Sequence, residues 1–327
     1  MYSQRPTMHQ RRPQPQRGRR RRGGAGLLII VIILALGFGI YAIFANDNEP
    51  ELLDELNPHS TNSHEDNTDI ADDTSLSLPT AMPTPTIPLT QISTQDIADT
   101  RYMALINHQH PASADPADYL LSAAWPTVAV SRIDGMYLHH SALRAISDMF
   151  ASARAAEVGA FFVSSGFRDF YHQAYLFGDG SNGGYVMPPG HSEHQTGLAA
   201  DILSVGIGMS ELANTLEGHW LAANSYRYGL ILRYPQGAEE ITGINFEPWH
   251  FRYVGQVHAY YMMRMGFVLE EYIAYIHERG HFSFDKDGIT HYVLFQQPDG
   301  GMIYVPYGQS FNVSGDNKGG YIVWTTG

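Results

Sequence analysis

His194 and Asp201 stand seven residues apart in the run Gly190-His191-Ser192-Glu193-His194-Gln195-Thr196-Gly197-Leu198-Ala199-Ala200-Asp201, and that spacing restricts the backbone between them. On one continuous helix they would lie about 10 Å apart along the axis, too far to share an ion held at about 2 Å. On a straight strand an odd separation sends the two side chains to opposite faces. The chain must therefore bend if they are to act together, and Gly197 is where a bend costs least. A second segment, Glu247-Pro248-Trp249-His250, adds an imidazole and a spare carboxylate. His194, Asp201 and His250 are what a three-ligand catalytic zinc site needs, and Glu247 is a carboxylate able to take a proton from water at such an ion.

The charge is distributed unevenly. Residues 1–25 hold eight arginines and no acid, which leaves 12 basic against 33 acidic side chains in the remainder. Residues 26–45 are an uncharged apolar run, long enough to cross a bilayer as a helix. With arginines before it and acids after it, the run predicts a single-pass cell-membrane protein whose N-terminus is cytoplasmic and whose bulk is extracytoplasmic. A cleaved signal peptide is the rival reading. Against it, the apolar run exceeds the usual 7–15 residues or so, and Ile43-Phe44-Ala45 lacks a small residue three places before a cleavage point. A span beside the arginines also makes a nucleic-acid role the weaker reading, so no nucleic-acid partner is expected. The absence of cysteine excludes disulfides and thiolate metal ligands.

Composition divides the rest. Residues 46–75 hold ten acids and no Lys or Arg, and residues 79–91 are rich in Pro and Thr. Low hydrophobicity with like charge predicts a disordered linker over 46–100. A globular pattern starts near Arg101, with a short strand or extended arm over 102–107. Helical periodicity covers 141–158 (Leu143, Ile146, Met149, Phe150, Ala153), followed by a buried strand at 160–165. Further expectations are a helix over 169–177, a Gly-rich loop over 178–190, a core strand over 198–205 and a helix over 210–226 capped by Ser210. A strand over 230–234 and helices over 256–266 and 268–279 complete this part. Residues 280–327 read as a small β-rich extension, with strand-like runs at 292–295, 302–305 and 321–324. His172, His191, His219, His258, His277, His281 and His291 read as ordinary surface or core histidines, and Trp249 as a packing residue.

The motifs Ser165-Gly166-Phe167-Arg168, Ser192 through Asp201, and Glu247-Pro248-Trp249-His250-Phe251-Arg252-Tyr253-Val254-Gly255 occur in this order. In them the sequence resembles the VanY family of D-alanyl-D-alanine carboxypeptidases, which belongs with the hedgehog-like and lysostaphin-like zinc peptidases. The match extends over roughly residues 101–279, including Asn107-His108-Gln109-His110-Pro111 and Gly229 to Pro235. A lone Glu-x-x-His would be a weak signal, and Pro248 argues against a helical His-Glu-x-x-His site.

The resemblance implies an α+β fold in which a small antiparallel sheet with flanking helices carries a zinc site. It implies Zn2+ as cofactor with His194, Asp201 and His250 as ligands, Glu247 as general base and Arg168 as the cation facing the oxyanion. Ser192 and Gln173 resemble positions that hold the terminal D-Ala carboxylate of a peptidoglycan stem peptide. The alternatives are an L,D-carboxypeptidase acting on tetrapeptide stems and a catalytically inactive wall-binding module. Intact Glu247 and Arg168 argue against the second. The resulting organisation is a basic tail (1–25), a transmembrane helix (26–45), a linker (46–100), a zinc carboxypeptidase domain (101–279) and the β-rich extension (280–327).

Overall fold

The computed structural model describes residues 87–97, 101–112, 120–122, 128–130, 136–181 and 184–327. The basic tail, the apolar run at 26–45 and most of the expected linker lie outside the described residues. Among the described residues no helix is long and apolar enough to cross a membrane.

The elements, in chain order, are β1 (Leu89–Ser93), β2 (Leu120–Ser122), β3 (Tyr137–His139), α1 (His140–Ala155), β4 (Phe161–Ser165), α2 (Phe170–Phe177), β5 (Ala199–Ser204), α3 (Leu216–Asn224), β6 (Leu230–Leu232), α4 (Glu239–Thr242), β7 (His250–Tyr253), α5 (Gln256–Met265), α6 (Leu269–Arg279), β8 (His281–Lys286), β9 (Ile289–Gln296), β10 (Met302–Pro306), β11 (Phe311–Gly315) and β12 (Tyr321–Thr325). Helices and small antiparallel sheets are thus mixed. The sheet that matters for the site has the order β4-β5-β7-β6, with every neighbour antiparallel.

Helix α1 covers this sheet. Its buried Ala142, Leu143, Ile146, Met149, Phe150 and Ala153 recur at three- and four-residue steps, which places them on one stripe. They share a core with Phe161 and Val163 of β4, Ala200 and Ile202 of β5, and Phe251 of β7. Each large apolar side chain so enclosed contributes about 1.5–3 kcal/mol relative to exposure. The helix stops at Ala155, short of the expected Val158, because Glu157 and Gly159 adopt left-handed conformations with φ of 57° and 56°.

A second core joins α5 and α6 to the C-terminal strands. Tyr272, Ile273 and Ile276 pack with Phe282, Val293, Ile322 and Trp324. The strands form a β11-β12-β9-β8 sheet, in which β8 and β11 were not anticipated from the sequence.

Three expectations are corrected. Residues 210–226 do not form one helix: a 3-10 turn at Leu212–Asn214 precedes α3, and a second at Ser225–Tyr228 follows it. The cap of α3 is Thr215, whose Oγ1 accepts from the Gly218 amide at 3.1 Å, not Ser210. A Cβ on Gly218 would lie 1.9 Å from the Leu212 carbonyl oxygen, so glycine is what lets the turn fold back on the helix. The arm at 102–107 contains no strand beyond a single bridge, Asn107 to His110. Finally, the expected linker does not run to residue 100: β1 pairs along its length with β10, from Leu89↔Pro306 to Ser93↔Met302.

Candidate active site

Two local devices place the three candidate ligands. Glu193–Thr196 is a buried 3-10 turn closed by Gly197 at φ 71°, a left-handed conformation that a Cβ disfavours. The bend demanded by the sequence lies at this glycine, and the chain leaves it directly into β5. Asp201 on β5 and His250 on β7 are direct cross-strand partners. Facing residues of an antiparallel pair carry their Cβ atoms only about 4.5–5.5 Å apart on one face.

Glu247 arrives through the turn Glu247-Pro248-Trp249-His250, in which the His250 amide donates to the Glu247 carbonyl at 3.1 Å. Proline at the second position suits such a turn, since its φ is preset. The end of β6 holds the turn in place: the Glu247 amide donates to the Tyr234 carbonyl at 3.0 Å, and the Arg233 amide to the His250 carbonyl at 3.1 Å.

His194, Asp201 and His250 are all buried and present one donor atom each within 4.8 Å of one another. Asp201 Oδ1 lies 3.4 Å from His194 Nε2 and 3.1 Å from His250 Nδ1. Tetrahedral ligands bound at about 2.0–2.1 Å stand about 3.3–3.4 Å apart, so the donor set fits zinc. The tautomer of His194 agrees. Its Nδ1 donates to the Gly166 carbonyl at 2.7 Å, which leaves the lone pair on Nε2 facing Asp201. Gly166 is needed at that position, because a Cβ would lie 2.5 Å from the Tyr137 carbonyl oxygen.

These side chains open into a cavity of about 210 Å³ whose lining includes Arg168, Ser192, Glu247, Trp249, Tyr185 and Met209. Arg168 follows β4. Its Nε is buried without a hydrogen-bond partner among the described residues, and Nη1 stands 3.5 Å from Ser165 Oγ. Burial draws its pKa down, while the carboxylates of Asp201 and Glu247 pull it up. Burial pushes Glu247 up to about 7, against the pull of His250. Burial, reinforced by the Arg168 charge, lowers His194 to about 4. For His250 burial works the other way from its neighbours, and the carboxylates of Asp201, Glu193 and Glu247 raise it to about 9. Burial would raise Asp201, but His194 and His250 hold it well below the usual carboxylate range.

The substrate-binding candidates separate. Ser192 is buried in the cavity lining and makes no capping hydrogen bond with its side chain. Gln173 is not among the lining residues. It is fully buried on α2, and its Nε2 donates to the Met187 carbonyl at 2.7 Å, behind the cavity wall. The sequence reading missed a buried ionic layer under the ligands: Glu193, Arg233, Arg252 and Glu270. The one available signal was an arginine in each of two otherwise apolar or aromatic strand segments, 230–234 and 250–254.

Residues 135–256 match the family described as "VanY: D-alanyl-D-alanine carboxypeptidase". This stretch is a VanY-family domain. Among curated proteins, it is 37% identical over 190 residues to a D-alanyl-D-alanine carboxypeptidase of Enterococcus faecium, covering 58% of this chain and 61% of that one. It is 36% identical over 185 residues to the putative carboxypeptidase YodJ of Bacillus subtilis, covering 52% of this chain and 66% of that one. The chain therefore spans somewhat under two thirds of the length of either relative. Among solved structures it resembles the vancomycin resistance D,D-dipeptidase VanXYg in complex with a D-Ala-D-Ala phosphinate analogue. That likeness has a TM-score of 0.62 and 25% identity, over 73% of this chain and 98% of that one.

Proposed function

We propose that this VanY-family protein is a membrane-anchored, extracytoplasmic zinc carboxypeptidase that removes the C-terminal D-Ala from peptidoglycan stem peptides. One observation carries the reading. A buried His194, Asp201 and His250 set with zinc-like spacing opens into the same cavity as Glu247 and Arg168. The D-alanyl-D-alanine activity in the names of its relatives supports the substrate class. The apolar run at 26–45 after an arginine-rich tail supports the anchor and its orientation.

When bound by His194, Asp201 and His250, zinc supplies a Lewis acid for the scissile carbonyl and lowers the pKa of water from about 15.7 to about 7. The remaining work belongs to the chain. Glu247 accepts the proton of the attacking water and returns it to the leaving amine, and its raised pKa suits a group that must do both near neutrality. Arg168 directs a guanidinium toward the carbonyl oxygen as negative charge develops there; a single oxyanion donor is worth about 3–4 kcal/mol in comparable reactions. Ser192 offers a hydroxyl in the lining to the free carboxylate that an exopeptidase must recognise. Gln173 contributes by fixing Met187, which also lines the cavity.

The test is incubation of the full chain with pentapeptide and tetrapeptide stems, with and without a chelator, and measurement of free D-Ala. Chelator-sensitive release from the pentapeptide is expected. Release from the tetrapeptide alone would establish an L,D-carboxypeptidase, and no release from either stem by zinc-loaded protein would sink the enzyme reading. Addition of protease to intact cells checks the orientation, the expected result being digestion of the C-terminal part.

A further inference from the structure

The ionic layer beneath the ligands ends in two unpaired atoms that face one another. Glu193 is buried, with its side chain wholly inaccessible. Its Oε1 takes the whole cationic load: Arg233 Nε hydrogen-bonds to it at 2.8 Å, and Arg252 Nη1 forms an ion pair with it at 3.0 Å. Neither arginine is free to move. Arg233 Nη1 and Nη2 engage Glu270 as a fork at 2.8 and 2.6 Å. Arg252 Nη2 donates to the carbonyls of Arg101, Tyr102 and Ala104 at 3.0, 3.2 and 3.2 Å.

The other oxygen, Glu193 Oε2, lies 3.6 Å from His250 Nε2. Both atoms are buried, and among the described residues neither has a hydrogen-bond partner within normal range. The opposite nitrogen of the same ring, Nδ1, is the one beside Asp201 and Glu247. We infer that Glu193 is a positioning residue: held from behind by Arg233 and Arg252, its carboxylate fixes His250 as an Nδ1 ligand. An imidazole that gives one nitrogen to a metal is neutral and keeps its proton on the other, which then needs an acceptor. Glu193 Oε2 is the acceptor in place, and the pairing leaves neither buried group unsatisfied.

The inference rests on the zinc reading above. Its test is therefore read on metal binding and ring chemistry, with no recourse to turnover. Glu193→Gln keeps the shape but has one oxygen and one amide nitrogen. Two guanidiniums claim the oxygen, so the –NH2 turns toward His250. That favours a lone pair on Nε2 and a proton on Nδ1, the arrangement a metal at Nδ1 cannot use. Zinc affinity of the full-length variant, measured by competition with a chromophoric chelator, is expected to fall roughly 10–100-fold. In zinc-loaded wild type, histidine 15N NMR is expected to show His250 metallated at Nδ1 and protonated at Nε2. A purely structural Glu193 would alter stability and leave zinc affinity intact. Wild-type affinity in Glu193→Gln, or a wild-type His250 metallated at Nε2, would overturn the inference. The wild-type spectrum can overturn the inference even where the variant does not fold. A wild-type chain that binds no zinc would remove the metallopeptidase reading and this inference with it.

Discussion

In the proposed mechanism, Glu247 is where burial and function meet at a single atom group. A carboxyl raised to about 7 is ionised, and so competent as a base, only as the pH rises through that value. The acid limb of kcat/KM is expected at or below about 7, since a bound dication beside the carboxylate favours its charged form. Glu247→Gln is expected to keep stoichiometric zinc and lose roughly 10²- to 10⁴-fold in kcat, as judged by metal analysis and D-Ala release. His250 works in the opposite sense. Its proton, held up to about 9 by neighbouring carboxylates, must leave before the ring can take a metal. Zinc affinity should therefore weaken as pH falls below about 9, by up to about tenfold per unit, and chelator competition at pH 6, 7 and 8 measures the slope. His250→Ala should lose the metal outright.

At the level of elements, the site is a strand pair, a turn and a left-handed glycine, and these were the most legible parts of the sequence. Gly197 and Pro248 announce their conformations locally, so the bend between His194 and Asp201 and the non-helical Glu247 segment could be argued from a few residues. The buried Glu193, Arg233 and Arg252 and the half-buried Glu270 could not. Their partners come from a 3-10 turn, the end of β6, β7 and a helix distant in sequence, and an arginine within an apolar segment does not by itself say which carboxylate encloses it. The helix expected over 210–226 failed for a related reason. Its break depends on Gly218 meeting the Leu212 carbonyl, a contact that periodicity does not encode. Gly197→Ala tests the glycine: forcing a Cβ at φ 71° should cost about 1–2 kcal/mol in denaturant unfolding. It should also weaken zinc binding by displacing His194.

Across the whole molecule, residues 280–327 had been legible only as a β-rich extension, because the partners of Trp324 lie far back in the chain. Its ring meets His258 at 4.4 Å and Tyr102 at 6.4 Å between centroids, inside the core it shares with α5 and α6. Trp324→Ala is expected to cost about 3–5 kcal/mol, and to do so within one cooperative transition seen alike by fluorescence and circular dichroism. Strand β1 has a different kind of consequence. It is the described segment nearest the N-terminus, and its five residues are registered against β10, away from the β4-β5-β7-β6 sheet. Tension applied to the chain ahead of residue 87 would meet that ladder before it reached the 101–104 arm and, through Arg252, the ligands. The β1–β10 pair would act as a mechanical fuse, peeling under load while the His194, Asp201 and His250 cluster stayed whole.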